Sequence, residues 1–445
     1  MFEQWLNQFL NFEKLPQKNI FWLDTMAFLS EKLNNPEKSY PTIHIAGSKG
    51  KGSISAMISS ILTEAGFSTG LYTSPHIINF HERISNNQKL FSSEIYENAA
   101  NIIKNVINNN INSITKERPI TWFELVTLYS FVCFKLAKVD YGIFEVGLGG
   151  RLDATNIIKP ELCCISTIEL EHTEFLGNTL EKIATEKAGI IKENTPVIVA
   201  RQPESVKEVF RKIANEKNAP IYFIDEVFNE IKSEYSVLNC SENHTPTFSI
   251  SLKSDIFDSP IITDMKLLGD FQAENAAIAA FTVKKLIPTI SNKIIEQGLL
   301  KAKLPGRFEI INLEQSNKKL PTIILDGAHT VNSVKHTLKT FKQYFNSEES
   351  VLLFACAADK DVNEISKAFS DNFKVYLTIP GNIKQSNLKK LEEAFNQQKI
   401  KFNSDEDFKK QIELAISEAK NKRLPLLVTG SFYLVSEVKK YIDSL

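Results

Sequence analysis

The feature that most constrains the fold is an apolar strand that runs through a glycine- and lysine-rich turn into a helix. Residues 42–47 (TIHIAG) are typical of a buried strand, and from Ile54 onward apolar residues recur at helical spacing. Gly47, Gly50 and Gly52 therefore lie in the turn between the two elements. Glycines there let backbone N–H groups surround an anion, and the helix N-terminus adds partial positive charge. The stretch predicts a phosphate-binding loop.

The loop departs from the standard P-loop in its spacing. The standard pattern places four residues between its first glycine and the Gly-Lys pair, whereas two residues separate Gly47 from Gly50 and Lys51 here. The chemical groups are nevertheless present, because Lys51 can reach outer phosphates and the Ser53 hydroxyl can bind Mg²⁺. The alternative interpretation is a glycine-rich turn whose lysines face solvent.

Strand-like and helical segments alternate along the chain, which predicts an α/β protein with mostly parallel sheets. Several strand-like runs are apolar throughout, as expected of strands that are buried on both faces. The predicted strands are TIHIAG (42–47), TGLYTS (69–74), YGIFEVG (141–147), LCCISTI (162–168), PVIVA (196–200), TIILDGA (322–328), SVLLFACA (350–357), FKVYLTIP (373–380) and PLLVTGS (425–431).

Two domains are predicted. The charged region 229–265 interrupts the alternation and is expected to form a small antiparallel excursion, followed by a helix at 275–287. The Pro-Gly pair in LPGRFEIINLE (304–314) is typical of a hinge. We therefore predict a P-loop-type, mostly parallel N-terminal domain over residues 1–303 and a Rossmann-like α/β C-terminal domain over residues 304–445.

Bulk properties argue against several classes of protein. The net charge of −1 gives no field that would attract nucleic acid or an anionic membrane. No apolar run reaches the roughly 18 residues of a membrane-spanning helix. The N-terminal MFEQWLNQFLNFEK has acids and amides where a signal peptide has a basic start and an apolar core. The five cysteines form no CxxC pair, so we expect reduced thiols in a cytoplasmic protein.

The sequence in and beyond the glycine turn resembles one family over most of the chain. GSKGKGS (47–53) is similar to the shortened nucleotide loop of the Mur-ligase superfamily. Later segments, in the family's order, resemble folylpolyglutamate synthases and dihydrofolate synthases. They are LYTSPHIINFHERI (71–84), TWFELVT (121–127), EVGLGGRLDATN (145–156), HTEFLGNTLEKIATEKAGIIK (172–192), LLGDFQAENAAIA (267–279), LPGRFE (304–309), LDGAHT (325–330), ADKD (358–361) and VTGSFYLVSEV (428–438).

The resemblance implies an ATP-dependent ligase. The family joins the α-amine of L-glutamate to a carboxylate of a pterin substrate. ATP phosphorylates the carboxylate, and the amine then displaces phosphate from the acyl phosphate. The implied substrates are ATP, L-glutamate, dihydropteroate and folates. The implied protein is a cytoplasmic monomer that binds neither nucleic acid nor membrane, with its active site in the cleft between the two domains.

The resemblance also implies roles for individual residues. Residues implied in catalysis are Lys51, His329 and Lys187, the last of them as a carbamate. Residues implied in nucleotide binding are Gly50, Lys51, Gly52, Ser53, Asn275, Arg307 and Asp326. One or two Mg²⁺ ions are implied at Ser53, Ser74, Glu145 and His172. Residues implied in substrate binding are Thr73, Pro75, His76, Phe80, Arg83, Ser431 and Tyr433.

Some of these roles are supported by the residues themselves. Glu145 closes an apolar strand, where a carboxylate would be costly unless it met a cation. Phe80 could stack on a pterin ring and Arg83 could pair with a carboxylate, although both could simply pack the loop. His172 is a less natural Mg²⁺ ligand, because Mg²⁺ prefers oxygen. The residues before Tyr40 and the loop at 73–84 are the expected surfaces for a second pterin pocket.

The chain also departs from the family at positions next to the implied ligands. Ser48 and Lys49 replace the common Thr-Asn, Phe271 replaces the His that often precedes Gln272, Thr330 replaces Asn, and Glu171 replaces Asp. These differences bear on contacts with the nucleotide base and on glutamate placement. They leave the expected reaction class unchanged.

Two other functions fit part of the sequence. One is a cell-wall ligase of the same superfamily, and the TSPH and WFE segments argue against it. The other is a nucleotide-binding regulator without ligase activity, and the LDGAHT and VTGSFY segments argue against that one. Within the family, the compact single chain resembles bifunctional members, so we expect both synthase activities. The preferred folate form and the length of the polyglutamate product do not follow from the sequence.

Overall fold

A computed structural model describes residues 2–11, 23–87, 89–114, 119–235, 248–311, 320–345, 349–369, 372–383 and 385–445. Three sheets with helices packed against them make up the described chain. The predicted α/β class with mostly parallel sheets is confirmed. Within these residues, no helix is both long enough and apolar enough to cross a bilayer.

The first sheet has seven strands in the order β3-β2-β4-β1-β5-β6-β7. All neighbours pair in parallel except β2 and β3. The strands are β1 (Thr42–Ala46), β2 (Thr69–Tyr72), β3 (Ile84–Ser85), β4 (Tyr141–Glu145), β5 (Leu162–Ile165), β6 (Val197–Val199) and β7 (Ile221–Phe223). The central strand β1 is buried at every position, which explains its uninterrupted apolar character.

Within the described residues, nine α-helices accompany this sheet. They are α1 (Phe2–Leu6), α2 (Asp24–Lys32), α3 (Lys51–Glu64), α4 (Ser93–Ile114), α5 (Trp122–Ala137), α6 (Thr173–Leu176), α7 (Leu180–Ala188), α8 (Glu204–Glu216) and α9 (Ile224–Val227). Short 3₁₀ turns cover Pro36–Lys38, Phe80–Arg83 and Ala154–Ile157. The amino end of α5 is fixed by a capping box, in which Thr121 and Glu124 satisfy each other's backbone N–H groups.

A small antiparallel sheet follows, as predicted for the region 229–265. Its strands β8 (Glu230–Tyr235), β9 (Phe248–Lys253) and β10 (Ile261–Met265) run in the order β10-β9-β8. Residues 236–247, which belong to the predicted excursion, lie outside the described residues. Two helices come next, α10 (Phe271–Leu286) and α11 (Asn292–Lys301). Both pack on α3, which is buried nearly all round because the first sheet covers its other side.

The third sheet has six strands in the order β11-β12-β16-β13-β14-β15, parallel except between β11 and β12. The strands are β11 (Glu309–Ile311), β12 (Ile323–Leu325), β13 (Ser350–Phe354), β14 (Phe373–Leu377), β15 (Phe402–Ser404) and β16 (Leu426–Thr429). The helices are α12 (Val331–Tyr344), α13 (Val362–Ser366), α14 (Leu388–Gln397), α15 (Phe408–Lys422) and α16 (Phe432–Ser444). This arrangement matches the predicted Rossmann-like C-terminal part.

The small sheet and the C-terminal part are in direct contact. The ring of Tyr235 on β8 lies 5.2 Å from the ring of Tyr344 on α12, centroid to centroid. Asp270, just before α10, pairs with Lys339 on α12. These contacts bring the amino end of α10 against α12, so the two large sheets flank a common cleft.

Candidate functional site

Sheet topology brings the predicted site residues of the N-terminal part to one edge. Strands β2, β4, β1 and β5 are neighbours, and all four point the same way. Beyond their carboxyl ends lie Ser74, Glu145, the glycine turn and His172, in that spatial order. Ligands of open parallel sheets bind at this edge, in the crevice outside the strand ends. The fold therefore gathers residues that are as far apart in the sequence as Gly47 and His172.

The glycine turn has the geometry of an anion cradle. Gly50 has a φ of +90°, and a Cβ there would lie 2.5 Å from Oδ1 of Asn275, so only glycine fits. The helix α3 begins at Lys51, and its free N–H groups face the turn. The Lys51 ammonium donates to the carbonyl of Gly47 at 2.9 Å, which holds the cation over the turn. The arrangement can bind a polyphosphate.

Glu145 and nearby serine hydroxyls offer oxygen ligands for a hard cation. Glu145 is 4% exposed and accepts a hydrogen bond from the backbone N–H of Ser74 at 3.1 Å. Burial raises the pKa of its carboxyl, and the charges of Lys51 and Arg307 oppose that rise. Among the described residues there is no cluster of three or more His, Cys, Asp or Glu side chains that could hold a metal. A Mg²⁺ ion here would therefore rely on Glu145 together with the hydroxyls of Ser53 and Ser74, an oxygen donor set that suits it.

A buried ion pair lies behind the glycine turn. The Lys187 side chain is 1% exposed, and its ammonium donates to Glu171 Oε1 at 2.9 Å and to the Gly47 carbonyl at 2.8 Å. The other oxygen of Glu171 lies 3.8 Å from the ammonium of Lys49. Burial lowers the pKa of Lys187 to about 8. Burial would raise the pKa of Glu171, but the three ammonium groups of Lys187, Lys51 and Lys49 bring it down to about 2.

The C-terminal part presents its own strand ends to the same cleft. Asp326 follows β12, and its two oxygens accept hydrogen bonds from the backbone N–H groups of Phe308 and Ala328, both at 2.8 Å. His329 Nδ1 lies 2.8 Å from the Gly327 carbonyl, and since a carbonyl only accepts, Nδ1 carries the proton. Burial lowers the pKa of His329 to about 4. The neutral ring therefore keeps a lone pair on Nε2.

Helix α10 links the turn to the cleft through its side-chain amides. The Asn275 amide donates to Oε1 of Gln272 at 2.9 Å, and the Gln272 amide donates to the Ser53 hydroxyl at 3.2 Å. On the opposite side, the Arg307 guanidinium lies 4.2 Å from the Phe432 ring centroid, which fixes its position by a cation–π contact. Gln272, Asn275 and Arg307 all line the cavity that also contains Lys51.

These elements enclose one large cavity of about 1690 Å³. Its wall includes the glycine turn, Ser74 and His76, and an N-terminal region of the wall contains Leu10, Leu23 and Phe123. Most residues implied by the resemblance line it: Gly50, Lys51, Gly52, Ser53, Ser74, Pro75, His76, Glu145, His172, Asn275, Arg307, Asp326, His329, Ser431 and Tyr433.

Four of the implied residues are absent from the cavity wall. Thr73 and Lys187 are buried behind it. Phe80 is 4% exposed and packs against Phe2, Trp122 and Tyr129, so the prediction that it stacks on a pterin ring is wrong for this structure.

Arg83 also requires a correction. Its side chain is 1% exposed, and its guanidinium lies 4.9 Å from the Trp122 ring centroid, beneath the loop that it was expected to project from. Direct pairing with a substrate carboxylate is therefore wrong for this arrangement. The reason for both errors is the same: aromatic residues from α1 and α5, distant in sequence, cover the loop from below.

Sequence reasoning missed several residues of the cavity wall. Phe123 follows the Thr121 cap of α5 and packs on Gly147, where it offers an aromatic face to the N-terminal region of the cavity. Lys360 enters from the ADKD segment, close enough for its charge to act on His172 and His329. Both residues lie in segments that resemble the family. The available signals were therefore the cation in ADKD and the aromatic ring in TWFE.

Comparison with protein-family models matches two consecutive parts of the chain. Residues 45–283 match the Mur ligase middle domain, and residues 306–432 match the Mur ligase glutamate ligase domain. The first match covers most of the residues that form one wall of the cleft, and the second match covers most of those that form the other wall.

Two curated relatives match nearly the whole chain. A dihydrofolate synthase/folylpolyglutamate synthase of Bacillus subtilis is 34% identical over 428 residues, which cover 94% of this chain and 94% of the relative. A probable dihydrofolate synthetase of Schizosaccharomyces pombe is 33% identical over 441 residues, with 94% of this chain and 98% of the relative covered.

Solved structures match to the same extent. The folylpolyglutamate synthase of Thermotoga maritima superposes with a TM-score of 0.80 at 29% identity, covering 99% of this chain and 96% of the other. The Mycobacterium tuberculosis folylpolyglutamate synthase complexed with ADP gives 0.84 at 26% identity, covering 99% and 97%.

Proposed function

The chain belongs to the dihydrofolate synthase and folylpolyglutamate synthase family of Mur ligases, and we propose that it joins L-glutamate to dihydropteroate and to the γ-carboxylate of folates. The family predicted from the glycine turn and the TSPH segment is confirmed, and the chain is an ATP-dependent ligase. One observation carries the proposal: the carboxyl edges of the two large sheets face each other across a single cavity.

The residues of this cavity supply what the reaction requires. The acceptor carboxylate attacks the γ-phosphorus of ATP, ADP leaves, and an acyl phosphate forms. The glutamate α-amine then attacks the acyl carbon, phosphate leaves, and the nitrogen loses a proton. Both steps concentrate negative charge on phosphate oxygens, so positioned cations and N–H groups dominate catalysis. Lys51, the amino end of α3 and Arg307 are the groups that we assign to this task.

The two regions of the cavity support a division between substrates. We assign ATP to the region around the glycine turn, with Asn275 near its base or ribose. We assign the pterin end of the acceptor to the region formed by Leu10, Leu23 and Phe123, where apolar walls suit a flat ring. The predicted second pterin surface included the residues before Tyr40, and the lining residues from that segment support it.

The C-terminal wall supports a site for L-glutamate. Lys360 offers a cation for a carboxylate, and the neutral His329 offers a lone pair to the amine. Ser431 and Tyr433 lie beside them at the amino end of α16. We propose that these side chains hold the incoming amino acid with its amine toward the acyl phosphate.

We assign one Mg²⁺ to Glu145, Ser53 and Ser74, where it would neutralise phosphate charge. Glu145→Gln should raise the Mg²⁺ concentration needed for half-maximal activity and lower kcat, because a neutral amide is a poorer ligand for a hard cation. A Mg²⁺ titration of initial rates measures both effects. Glu161→Gln, at an exposed position away from the cavity, is the matched control. Unchanged titration and rate in Glu145→Gln would place the metal elsewhere.

We also propose that Lys187 carries a carbamate during turnover, which would let it bind a second Mg²⁺ with His172. The neutral amine adds to CO₂ and releases a proton, and the lowered pKa of about 8 supports this by enlarging the neutral fraction. With ¹³C-bicarbonate, Mg²⁺ and an ATP analogue, NMR should show a carbamate signal that Lys187→Arg abolishes. A spectrum without that signal would contradict the proposal.

Further proposals concern organisation and setting. We place the domain boundary at residues 303–304, which agrees with the gap between the two family matches at 283 and 306. We propose a monomer in the cytoplasm that binds neither nucleic acid nor membrane. The free, buried state of Cys133, Cys163, Cys164 and Cys356 supports the reducing compartment.

A further inference from the structure

Arg307 has an unusual environment for a cation in a cleft. It lines the cavity, and in the part of the chain that the structure describes its guanidinium makes no hydrogen bond and no ion pair. Burial lowers its pKa, and the charges of Asp326 and Glu145 oppose that change from beyond ion-pair distance. A guanidinium carries five N–H donors, so all five of these remain free for a ligand.

An aromatic ring holds this guanidinium where a carboxylate would be expected. Phe432 is the first residue of α16, and Cζ of Arg307 lies 4.2 Å from the centroid of its ring. A carboxylate would occupy N–H groups of the arginine and cancel part of its charge, whereas a ring face attracts the cation and accepts none of its N–H groups in this way. The contact therefore restrains Arg307 without using the donors that would bind phosphate oxygens.

The same ring packs beside His329. A Cβ at Gly327 would lie 2.3 Å from Cε1 of Phe432, so the ring fills the space that a side chain at position 327 would need. His329 Nδ1 is bonded to the carbonyl of this glycine, and the imidazole centroid lies 6.1 Å from the Phe432 centroid at an interplanar angle of 64°. That is an edge-to-face contact. Phe432 thus contacts both Arg307 and His329, which come from different segments of the chain.

We propose that Phe432 is a positioning residue that fixes Arg307 and His329 relative to each other, so that an acyl phosphate held by Arg307 faces the amine that His329 receives. The roles of these two residues rest on the proposed function. In ligation the amine attacks the acyl carbon and phosphate leaves. Where the amine is misplaced, water attacks instead, phosphate leaves and the acceptor carboxylate is regenerated, so ATP is consumed without a new amide bond.

The ratio of ADP released to glutamyl bonds formed tests the positioning. At saturating L-glutamate this ratio should be one for the wild-type protein and above one for Phe432→Leu, which keeps an apolar side chain but removes the ring. Phe432→Tyr retains the ring face and should restore the ratio. Phe402→Leu, at a half-buried position of β15 outside the cavity wall, is the matched control. A ratio of one in a folded Phe432→Leu enzyme would overturn the proposal.

Nucleotide binding tests the contact with Arg307 separately. Calorimetry with a non-hydrolysable ATP analogue, without acceptor or glutamate, should show that Phe432→Leu weakens binding roughly 3- to 30-fold, the range of a lost cation–π contact. In an Arg307→Met background the same substitution should weaken binding less than about twofold, because the group that the ring restrains is already absent. Equal losses in the two backgrounds would show that the ring does not act through Arg307, and would overturn the proposal.

Thermal unfolding of each variant separates positioning from folding. Phe432→Met is the second variant without a ring, and it replaces Phe432→Leu in both experiments if the leucine protein does not fold. The absence of glutamylated product from both acceptors in the wild-type protein would contradict the proposed function. Binding of the ATP analogue would still decide whether Phe432 acts through Arg307, because that measurement needs neither acceptor nor glutamate.

Discussion

At the scale of single residues, the surroundings of the glycine turn are defined by ammonium groups that are packed close together around one carboxylate. Lys49, Lys51 and Lys187 all influence Glu171, and Lys51 and Lys187 donate to the same carbonyl of Gly47. Bringing ammonium groups together is unfavourable unless anions compensate. ATP and its phosphate products are such anions, so the charge arrangement itself is suited to phosphoryl transfer.

Glu171 should show its contribution in the pH dependence of stability. Glu171→Gln is expected to lower the free energy of unfolding at neutral pH by roughly 3 kcal/mol, because it leaves the buried Lys187 charge without its partner. The folded-state pKa of about 2 lies below the ordinary value of 4.5, so the carboxylate's contribution is full above about pH 4.5. It is lost as the pH falls toward 2.

Urea unfolding of both proteins across this pH range measures the difference. The gap between wild type and Glu171→Gln should close on the acidic side. Glu193→Gln, at an exposed site, should give no comparable gap. A difference that stays constant from neutral pH to pH 2 would show that the ion pair with Lys187 contributes nothing.

Residues at strand ends were predictable, whereas those that meet only through packing were not. Glu145 and Asp326 each close an apolar strand, and parallel strands bring such ends to one edge, so the sequence placed them in the cleft. The pairing of Glu171 with Lys187 depends on the path of α6 and α7. The burial of Phe80 depends on α1 and α5, and no local pattern shows that they cover it.

At the scale of secondary-structure elements, the packing of α11 on α3 positions the helix that starts at the glycine turn. At Gly298 the two helices approach so closely that an added Cβ would lie 2.4 Å from the Cα of Ile61. The Ser60 hydroxyl donates to the Gly298 carbonyl at 2.7 Å across this contact. The clash would be with backbone atoms of Ile61, which cannot move aside as the flexible end of a side chain can.

Gly298→Ala should therefore destabilise the protein, although alanine normally favours a helix by about 1 kcal/mol over glycine. We expect a net loss of roughly 1–3 kcal/mol from the overpacked contact, read as a lower midpoint of urea unfolding. Lys293→Ala, at an exposed position of the same helix, is the control and should change the midpoint little. A Gly298→Ala protein as stable as wild type would mean that α11 can move away from α3 without cost.

The strands that were predicted correctly are those with the clearest apolar pattern in the sequence. The nine predicted strands are present, and most of them are apolar and buried across their length, whereas β14 alternates between buried and half-buried positions. The short strands β3, β7, β11 and β15 were missed. All four have two or three residues, and all four lie at sheet edges. An edge strand that is half-exposed looks like a loop in the sequence, so its pairing is set by the neighbouring strand.

At the scale of the whole molecule, two mostly parallel sheets present their carboxyl edges to one cavity. The first supplies the phosphate turn and Glu145, and the second supplies Asp326, His329 and Lys360. Neither part alone holds a complete set of groups for ATP, an acceptor and an amine. The function therefore depends on the two parts together, with a cavity long enough for an extended acceptor.

The joint action of the two parts is tested by product analysis with dihydropteroate and tetrahydrofolate assayed separately, each with ATP, Mg²⁺ and L-glutamate. Mass spectrometry should show a product heavier by one glutamyl residue from each acceptor, with one ADP released per bond formed and no release when glutamate or acceptor is left out. Product from tetrahydrofolate alone would reduce the activity to polyglutamylation. ADP release that needs neither acceptor nor glutamate, with no glutamylated product from either compound, would contradict the proposed ligase activity.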